Sequence, residues 1–101
     1  ATDLEASRLL YKRAAELLGN PKGTVAAAHA KRFAPDAAVR ATGACMQMLG
    51  AYGLLAPYTL ERMYRIAPVM KMVDGTTEIQ RVVIARALKK YASKHPPTVN
   101  Q

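Results

Sequence analysis

Apolar residues recur at helical spacing in four stretches of this chain, and glycine or proline marks the boundaries between them. In TDLEASRLLYKRAAELLGNP, Leu10, Ala14, Leu17 and Leu18 follow helical spacing, and Ala6 and Leu9 extend the stripe. Asp3 and Glu5 sit near the positive end of this first helix. Gly19-Asn20-Pro21 stops it, with Gly19 at the C′ position. The second stretch, GTVAAAHAKRFAPDAAVRATGACMQMLGAYG, predicts a helix with Thr24 as its N-cap. Its run from Val25 to Ala30 is made almost wholly of small residues, so a neighbouring helix can approach closely. Pro35 interrupts the pattern: inside a helix it removes one backbone bond and clashes one turn back, at about 3 kcal/mol. Ala34-Pro35-Asp36 also reads as a restart with Pro at N1, so a kink or break is expected near Phe33. Gly50-Ala51-Tyr52-Gly53 ends this stretch. Pro57 opens a short amphipathic piece, YTLERMYRI, in which Leu60, Met63 and Tyr64 share a face, and Ala67-Pro68 closes it. The last helix starts at Thr76 or Thr77, both able N-caps, and runs through Ile79, Val82, Val83, Leu88 and Tyr91. Arg86, Lys89 and Lys90 lie toward its negative end.

These elements predict three long helices, one short helix and no strand. The fold class is all-α, an incomplete antiparallel helical bundle over residues 1–93, with 94–101 read as a flexible tail. A fourth long helix is wanting, to be supplied by oligomerisation or by a larger chain. Composition agrees: half of the residues are hydrophobic, yet aromatics amount to five Tyr and one Phe with no Trp. That mass of Ala, Leu, Met and Val suits packed helices better than a β-sandwich. At 101 residues the chain is one small domain, burying well under ~70% of its unfolded surface.

The formal charge of +8 attracts polyanions: nucleic acid, anionic lipid, or phosphate-rich small molecules such as coenzyme A. A single cysteine, Cys45, excludes an internal disulfide, and one Cys with two His argues against a structural zinc site. No apolar run approaches the ~20 residues that span a bilayer. No basic segment leads into an apolar core at the start, so no signal peptide is expected and a cytoplasmic location is the default.

Candidate chemistry gathers at two glycine turns. Gly50 and Gly53 flank a tight turn directly after a helix, with Gln47 three residues before Gly50. Glycine lets backbone amides approach a ligand. In DGTTEIQ, Thr76 and Thr77 stand at a helix N-terminus, where free N–H groups and the dipole favour anions. Such parts can hold a phosphate or the edge of a flavin, and they are equally an ordinary C-cap and an ordinary N-cap. Asp74, just ahead, is either a turn residue or a base at the edge of a cofactor site.

QMLGAYG, then LERMYR, then DGTTEIQRVVIAR resembles, in order and spacing, the acyl-CoA dehydrogenase family's pattern Q-I-x-G-G-x-G-Y, E-R-x-Y-R-D and Y-E-G-T-x-E-I-Q-R-x-x-I-A-R. LEASRLLYKRAAEL is similar to the second helix of that family's C-terminal domain, so the resemblance covers about Asp3 to Tyr91. It implies a four-helix C-terminal bundle whose first helix, together with an N-terminal helical domain and a middle β-domain, lies outside this chain. The implied reaction is α,β-dehydrogenation of an acyl-CoA thioester. A carboxylate, here Asp74, takes the α-proton while the β-hydrogen leaves as hydride to N5 of FAD. Hydrogen bonds from the base's own backbone N–H and a flavin ribityl hydroxyl polarise the thioester oxygen. Desolvation by the acyl chain strengthens the base.

By the same resemblance Gln47, Met48, Leu49, Gly50 and Ala51 reach the adenosine-diphosphate part of a neighbouring subunit's FAD. Thr76 and Glu78 lie beside the flavin, although Glu78 reads equally as a simple charge at the helix N-terminus, and the Gly75 backbone touches substrate. Implied partners are the acyl-CoA, the rest of the same enzyme, a homotetramer or homodimer, and an acceptor such as an electron-transferring flavoprotein. Neither nucleic acid nor membrane belongs to that set.

The chain departs from the pattern at several positions. Asp74 stands for Glu, one methylene shorter, about 1.5 Å of reach, where a misplacement of about 1 Å can cost ~100-fold. Ala51 stands for the second Gly, tolerable only at negative φ and where the cofactor does not touch its Cα. Val73 replaces a Tyr, Leu54 an aromatic, and Ile66 an Asp that would pair with Arg62 or Arg65. Asp74 and Ala51 motivate the rival reading of a noncatalytic subunit of the same family. The charge motivates a second rival, a basic helical nucleic-acid-binding module, although the basic residues are spread over all helices. His29 reads as a packed or surface residue, Tyr64 as a packing residue, Cys45 as a small buried hydrophobe, and Met46, Met48, Met63, Met70 and Met72 as core filler.

Overall fold

In the computed structural model, which describes residues 1–55, 57 and 59–96, the chain is built from four α-helices: α1 (Thr2–Glu16), α2 (Gly23–Leu49), α3 (Leu60–Ile66) and α4 (Thr77–Lys94). A 3-10 turn, Gly50–Leu54, follows α2, and a second, Ala67–Lys71, joins α3 to the loop before α4. No strand occurs among the described residues. Tyr58 and residues 97–101, to which the short amphipathic piece and the tail were extended, lie outside them.

α2 is the spine, against which α1, α3, the second 3-10 turn and α4 all pack. The small residues predicted to admit a close neighbour do so: Ala26, Ala28, Ala30 and Ala37 are buried. On α1 and its C-cap the half-buried stripe is Asp3, Ala6, Ser7, Leu10, Ala14 and Leu17. Leu9 and Leu18, assigned to the stripe from spacing, face outward. Arg40 of α2 reaches α1, where its Nη2 lies 2.7 Å from the Asp3 carboxylate. On α4 the half-buried line is Gln80, Val83, Ile84 and Ala87, continuing from buried Thr77. Ile79, Val82, Leu88 and Tyr91 are exposed.

Of the kink or break expected near Phe33 the break is absent, and the Thr24 cap is corrected. α2 runs without a break through Pro35, which is itself buried. Packing along both halves of the helix offsets the missing bond that the isolated sequence could not compensate. Thr24 is not the cap; the helix begins at Gly23 behind Lys22, and no side chain caps it. Gly19, at φ +80°, does end the α1 region.

The interior is thin. No large side chain is fully buried, and Met48, Met63, Met70 and Met72 are exposed rather than core filler. Cys45 is half-buried. The radius of gyration is 17.8 Å, against about 13 Å for a compact domain of this length.

Asp36 of α2 lies 2.7 Å from Lys71 Nζ. The hydrogen bond from Lys71 holds its carboxyl below the usual 3.8, aided by the charges of Lys71, Arg32 and Arg40 and opposed by partial burial. Between the folded and unfolded values the unfolded chain binds more protons. The pair's contribution is therefore fully present above the ordinary carboxyl value and is lost as pH falls through the lower folded value. In the intact protein, acid unfolding followed by circular dichroism should be less pH-dependent below pH ~4 in Asp36→Asn than in the parent. Superimposable acid limbs would remove Asp36 from the linkage.

Candidate functional site

The loop from Lys71 to Thr77 is fixed locally by backbone chemistry. Met72 and Val73 donate N–H bonds to the Val69 carbonyl, at 2.9 and 3.2 Å, so the second 3-10 turn continues as a hydrogen-bonded turn. Asp74 follows at φ +54°, the one non-glycine residue with positive φ among the described residues. Asp and Asn are the side chains that best tolerate this left-handed region. Gly75 follows at φ +95°, beyond the small region open to other L-residues. The chain then turns extended at Thr76, whose Oγ1 accepts the Ile79 N–H at 3.3 Å and caps α4.

The cap leaves an edge with defined donors. Thr76 takes up the Ile79 and Gln80 amides through its Oγ1 and its carbonyl. Among the described residues the N–H groups of Asp74 and Gly75 have no backbone acceptor, and no group donates to the Asp74 carboxylate. Asp74 and Glu78 are exposed, Gly75 and Thr76 half-buried, and Thr77 buried. An exposed carboxylate, an uncommitted N–H on the same residue and the positive end of an 18-residue helix thus lie within five consecutive residues.

Gln80 was not singled out from sequence, yet it closes this turn. Its Nε2 donates a long bond, 3.5 Å, to the Gly75 carbonyl. A Cβ on Gly75 would sit 2.6 Å from that nitrogen. Thr77-x-x-Gln80 has the spacing of a capping box, but the cap is Thr76 and Gln80 bonds the Gly75 carbonyl instead, so the local pattern does not disclose this contact. Gly75→Ala combines strained φ with displacement of Gln80. It should destabilise the turn by about 1–3 kcal/mol. Amide exchange of residues 73–77 in the intact protein would report this, and unchanged protection there would contradict it.

The other predicted cluster lies elsewhere. Gln47, Met48 and Leu49 form the last exposed turn of α2. Gly50 ends it at φ +55° with nothing within 4 Å of where a Cβ would stand. Ala51 is absent from the positive-φ residues, so the backbone there accommodates a methyl group. Gly53 is buried, and a Cβ on it would sit 2.9 Å from Met46 Sδ, so the 3-10 turn folds tightly back on α2. Gln47 and Gly50 line an open cavity of about 410 Å³ with Gly43, Met46, Leu54 and Tyr64.

The two clusters attach to the spine at different levels. Lys31 of α2 bonds the Met70 carbonyl and Asp36 pairs with Lys71, just ahead of Asp74. Gln47 is 11 to 16 residues further along α2, about 16–24 Å at 1.5 Å per residue. The structure therefore does not gather all predicted residues into one pocket.

The remaining candidates have plain roles. Arg65 pairs with Glu61 one turn away in α3, while Arg62 lines an apolar cavity beneath α3 with Met63, Ile66 and Ala67. His29 is exposed beside Arg13 and Lys22. His95 stacks on Tyr91 with ring centroids 4.3 Å apart. Among the described residues no cluster of three His, Cys, Asp or Glu side chains could hold a metal, and no helix is long and apolar enough to cross a membrane.

Comparison with known proteins identifies the family. Residues 1–89 match the model of the acyl-CoA dehydrogenase C-terminal domain. A cyclohexane-1-carbonyl-CoA dehydrogenase of Geobacter metallireducens is 43% identical over 94 residues, 92% of this chain and 25% of that protein. A mitochondrial short-chain specific acyl-CoA dehydrogenase of Bos taurus is 45% identical over 95 residues, 92% of this chain and 23% of that protein. A chain in a solved structure described as an electron transferring flavoprotein of Acidaminococcus fermentans superposes with a TM-score of 0.81 at 41% identity, over 87% of this chain and 23% of that one. The chain thus spans about a quarter of the length of the curated relatives it matches.

Proposed function

The chain belongs to the acyl-CoA dehydrogenase family, matching its C-terminal domain, and from that premise we propose that it is part of a flavin-dependent enzyme that dehydrogenates an acyl-CoA thioester between its α and β carbons. The observation that carries this reading is the left-handed Asp74–Gly75 turn directly ahead of the capped α4, with both the carboxylate and the N–H of Asp74 uncommitted. On this reading Asp74 removes the α-proton. Its own N–H, free of a backbone acceptor, is suited to polarise the thioester oxygen, where charge develops as the proton leaves. The Gly75 backbone lies against substrate, and Val73 gives the acyl pocket an aliphatic wall. An acyl chain that covers the exposed carboxylate would desolvate it and raise its basicity.

FAD fits the residues present, and when bound it supplies the acceptor for the β-hydride. Thr76 and Glu78 would lie beside the flavin at the positive end of α4. Gln47 to Ala51 would meet the adenosine-diphosphate part of a neighbouring subunit's cofactor, for which an exposed helix end and an open glycine are suited. The distance along α2 between the two clusters supports their serving different copies of the cofactor. The open groove of about 520 Å³ floored by Ala27, Ala30, Ala34 and Ala38 supports a missing bundle helix there, supplied by the rest of the enzyme. We read the active protein as a cytoplasmic homotetramer or homodimer passing electrons to an electron-transferring flavoprotein.

The test is anaerobic flavin bleaching by a panel of short, branched, alicyclic and long acyl-CoAs, with protein made from the intact reading frame. Bleaching by one class is the expected result and would name the substrate class. A protein that copurifies without flavin, and acquires it only with a partner subunit, would replace this reading with that of a noncatalytic subunit.

A further inference from the structure

The segment that leads to Asp74 is braced on the spine by two crossed contacts. Lys31 Nζ of α2 donates to the Met70 carbonyl at 2.9 Å. In the opposite direction, Lys71 Nζ of the 3-10 turn lies 2.7 Å from Asp36 Oδ1 of α2. Adjacent residues of the turn are thus tied to two levels of α2 that are five residues apart. Apolar packing alone gives this segment little register: Ala67 is buried, but Val69, Met70 and Met72 are exposed. The polar ties set where it sits. From Lys71 to Asp74 the path is short and bonded, with Met72 and Val73 both held to the Val69 carbonyl. A shift of Lys71 is therefore passed to Asp74 with no slack segment between them.

We propose that Lys31, Asp36 and Lys71 are positioning residues for Asp74, fixing how far its short side chain reaches toward the substrate's α-carbon. The inference rests on Asp74 being the base. A carboxylate one methylene short has little tolerance, since about 1 Å of misplacement can cost ~100-fold. Partly exposed ion pairs add little to global stability, so near neutral pH the main effect of the brace is expected on rate, with only a small, acid-sensitive share on folding. Asp36 stays ionised through the neutral range, because the Lys71 hydrogen bond favours its charged form.

The experiment uses the full-length flavoprotein and the acyl-CoA that bleaches it best. Stopped-flow flavin reduction is measured for Lys31→Met, Asp36→Asn, Lys71→Met and the conservative Lys71→Arg, with amide exchange of residues 67–76 on the same samples. Each of the first three should lower the reduction rate constant at saturating substrate about 10-fold or more, with half-saturation within about threefold, and should speed exchange locally. Lys71→Arg, which keeps the pair, should stay within about threefold of the parent. Wild-type rates in the disrupting variants, or equal losses in Lys71→Met and Lys71→Arg, would overturn the proposal. So would a loss of rate with no local change in exchange. Asp74→Asn is the control: if it reduces flavin normally, the base assignment itself has failed. If it is dead while the brace variants are normal, only the brace has.

Discussion

Asp74→Asn in the full-length protein is expected to lower the rate of acyl-CoA-driven flavin reduction at least ~100-fold, the scale of a lost general base. The substitution separates the two roles of this residue. At φ +54° the position favours Asp or Asn among non-glycine residues. Asn therefore keeps the turn, the backbone N–H and the cap at Thr76, and removes only the group that accepts a proton. Asp74→Gly should give the same loss, because glycine is at ease at this φ and has no carboxylate. Flavin content and acyl-CoA affinity should be nearly unchanged in both, so the effect belongs in the chemical step. Reduction that survives both substitutions would leave Asp74 a turn residue and move the base to another helix. Asp74→Glu is informative in another way. It restores the longer side chain at a φ that Glu tolerates less well, so its rate would weigh reach against backbone strain.

The sequence announced this turn because its determinants are local. Asp-Gly ahead of Thr-Thr encodes two positive φ values and a cap within four residues, and α4 begins there. Gly19 and Gly50 ended their helices for the same reason. What sequence did not disclose depends on partners far along the chain. Pro35 read as a restart, yet α2 continues through it, because α1 and the second 3-10 turn pack beside that level of the helix. The Lys31–Met70 tie joins residues 39 apart, and nothing in the local pattern of either reveals it. The methionines misled in a different way. They read as core, yet Met48, Met63, Met70 and Met72 are exposed, because burial depends on what packs over a helix face and not on residue type alone. At Asp74, spacing supplied the position and the backbone supplied the φ. Its role as proton acceptor rests on family likeness and an uncommitted carboxylate, which is why the Asn variant carries so much weight.

The largest effect on stability should come from isolating the chain. Produced alone at micromolar concentration, residues 1–101 are expected to self-associate, or to unfold broadly without a sharp cooperative transition. A folded monomer of this size exposes about 5,600 Å², whereas this one exposes 7981 Å². The excess of about 2,400 Å² is comparable to a large protein–protein interface. Much of the exposed area is apolar: Leu9, Leu18, Met48, Tyr52, Leu54, Met72, Leu88 and Tyr91 are each 60% or more exposed. Folded domains retain only about 5–15 kcal/mol after conformational entropy is subtracted, a small margin against so much exposed apolar surface. The net charge of +8 opposes aggregation without supplying a core. Sedimentation together with thermal circular dichroism decides the matter. Oligomers, or helical signal lost over a wide temperature range, would fit a spine that needs the rest of its bundle. Adding back the preceding part of the reading frame should then restore a sharp transition. A compact monomer melting sharply above ~50 °C would show instead that α1, α3 and α4 suffice to hold α2, and would remove the main physical reason for expecting a covering helix in the alanine-floored groove.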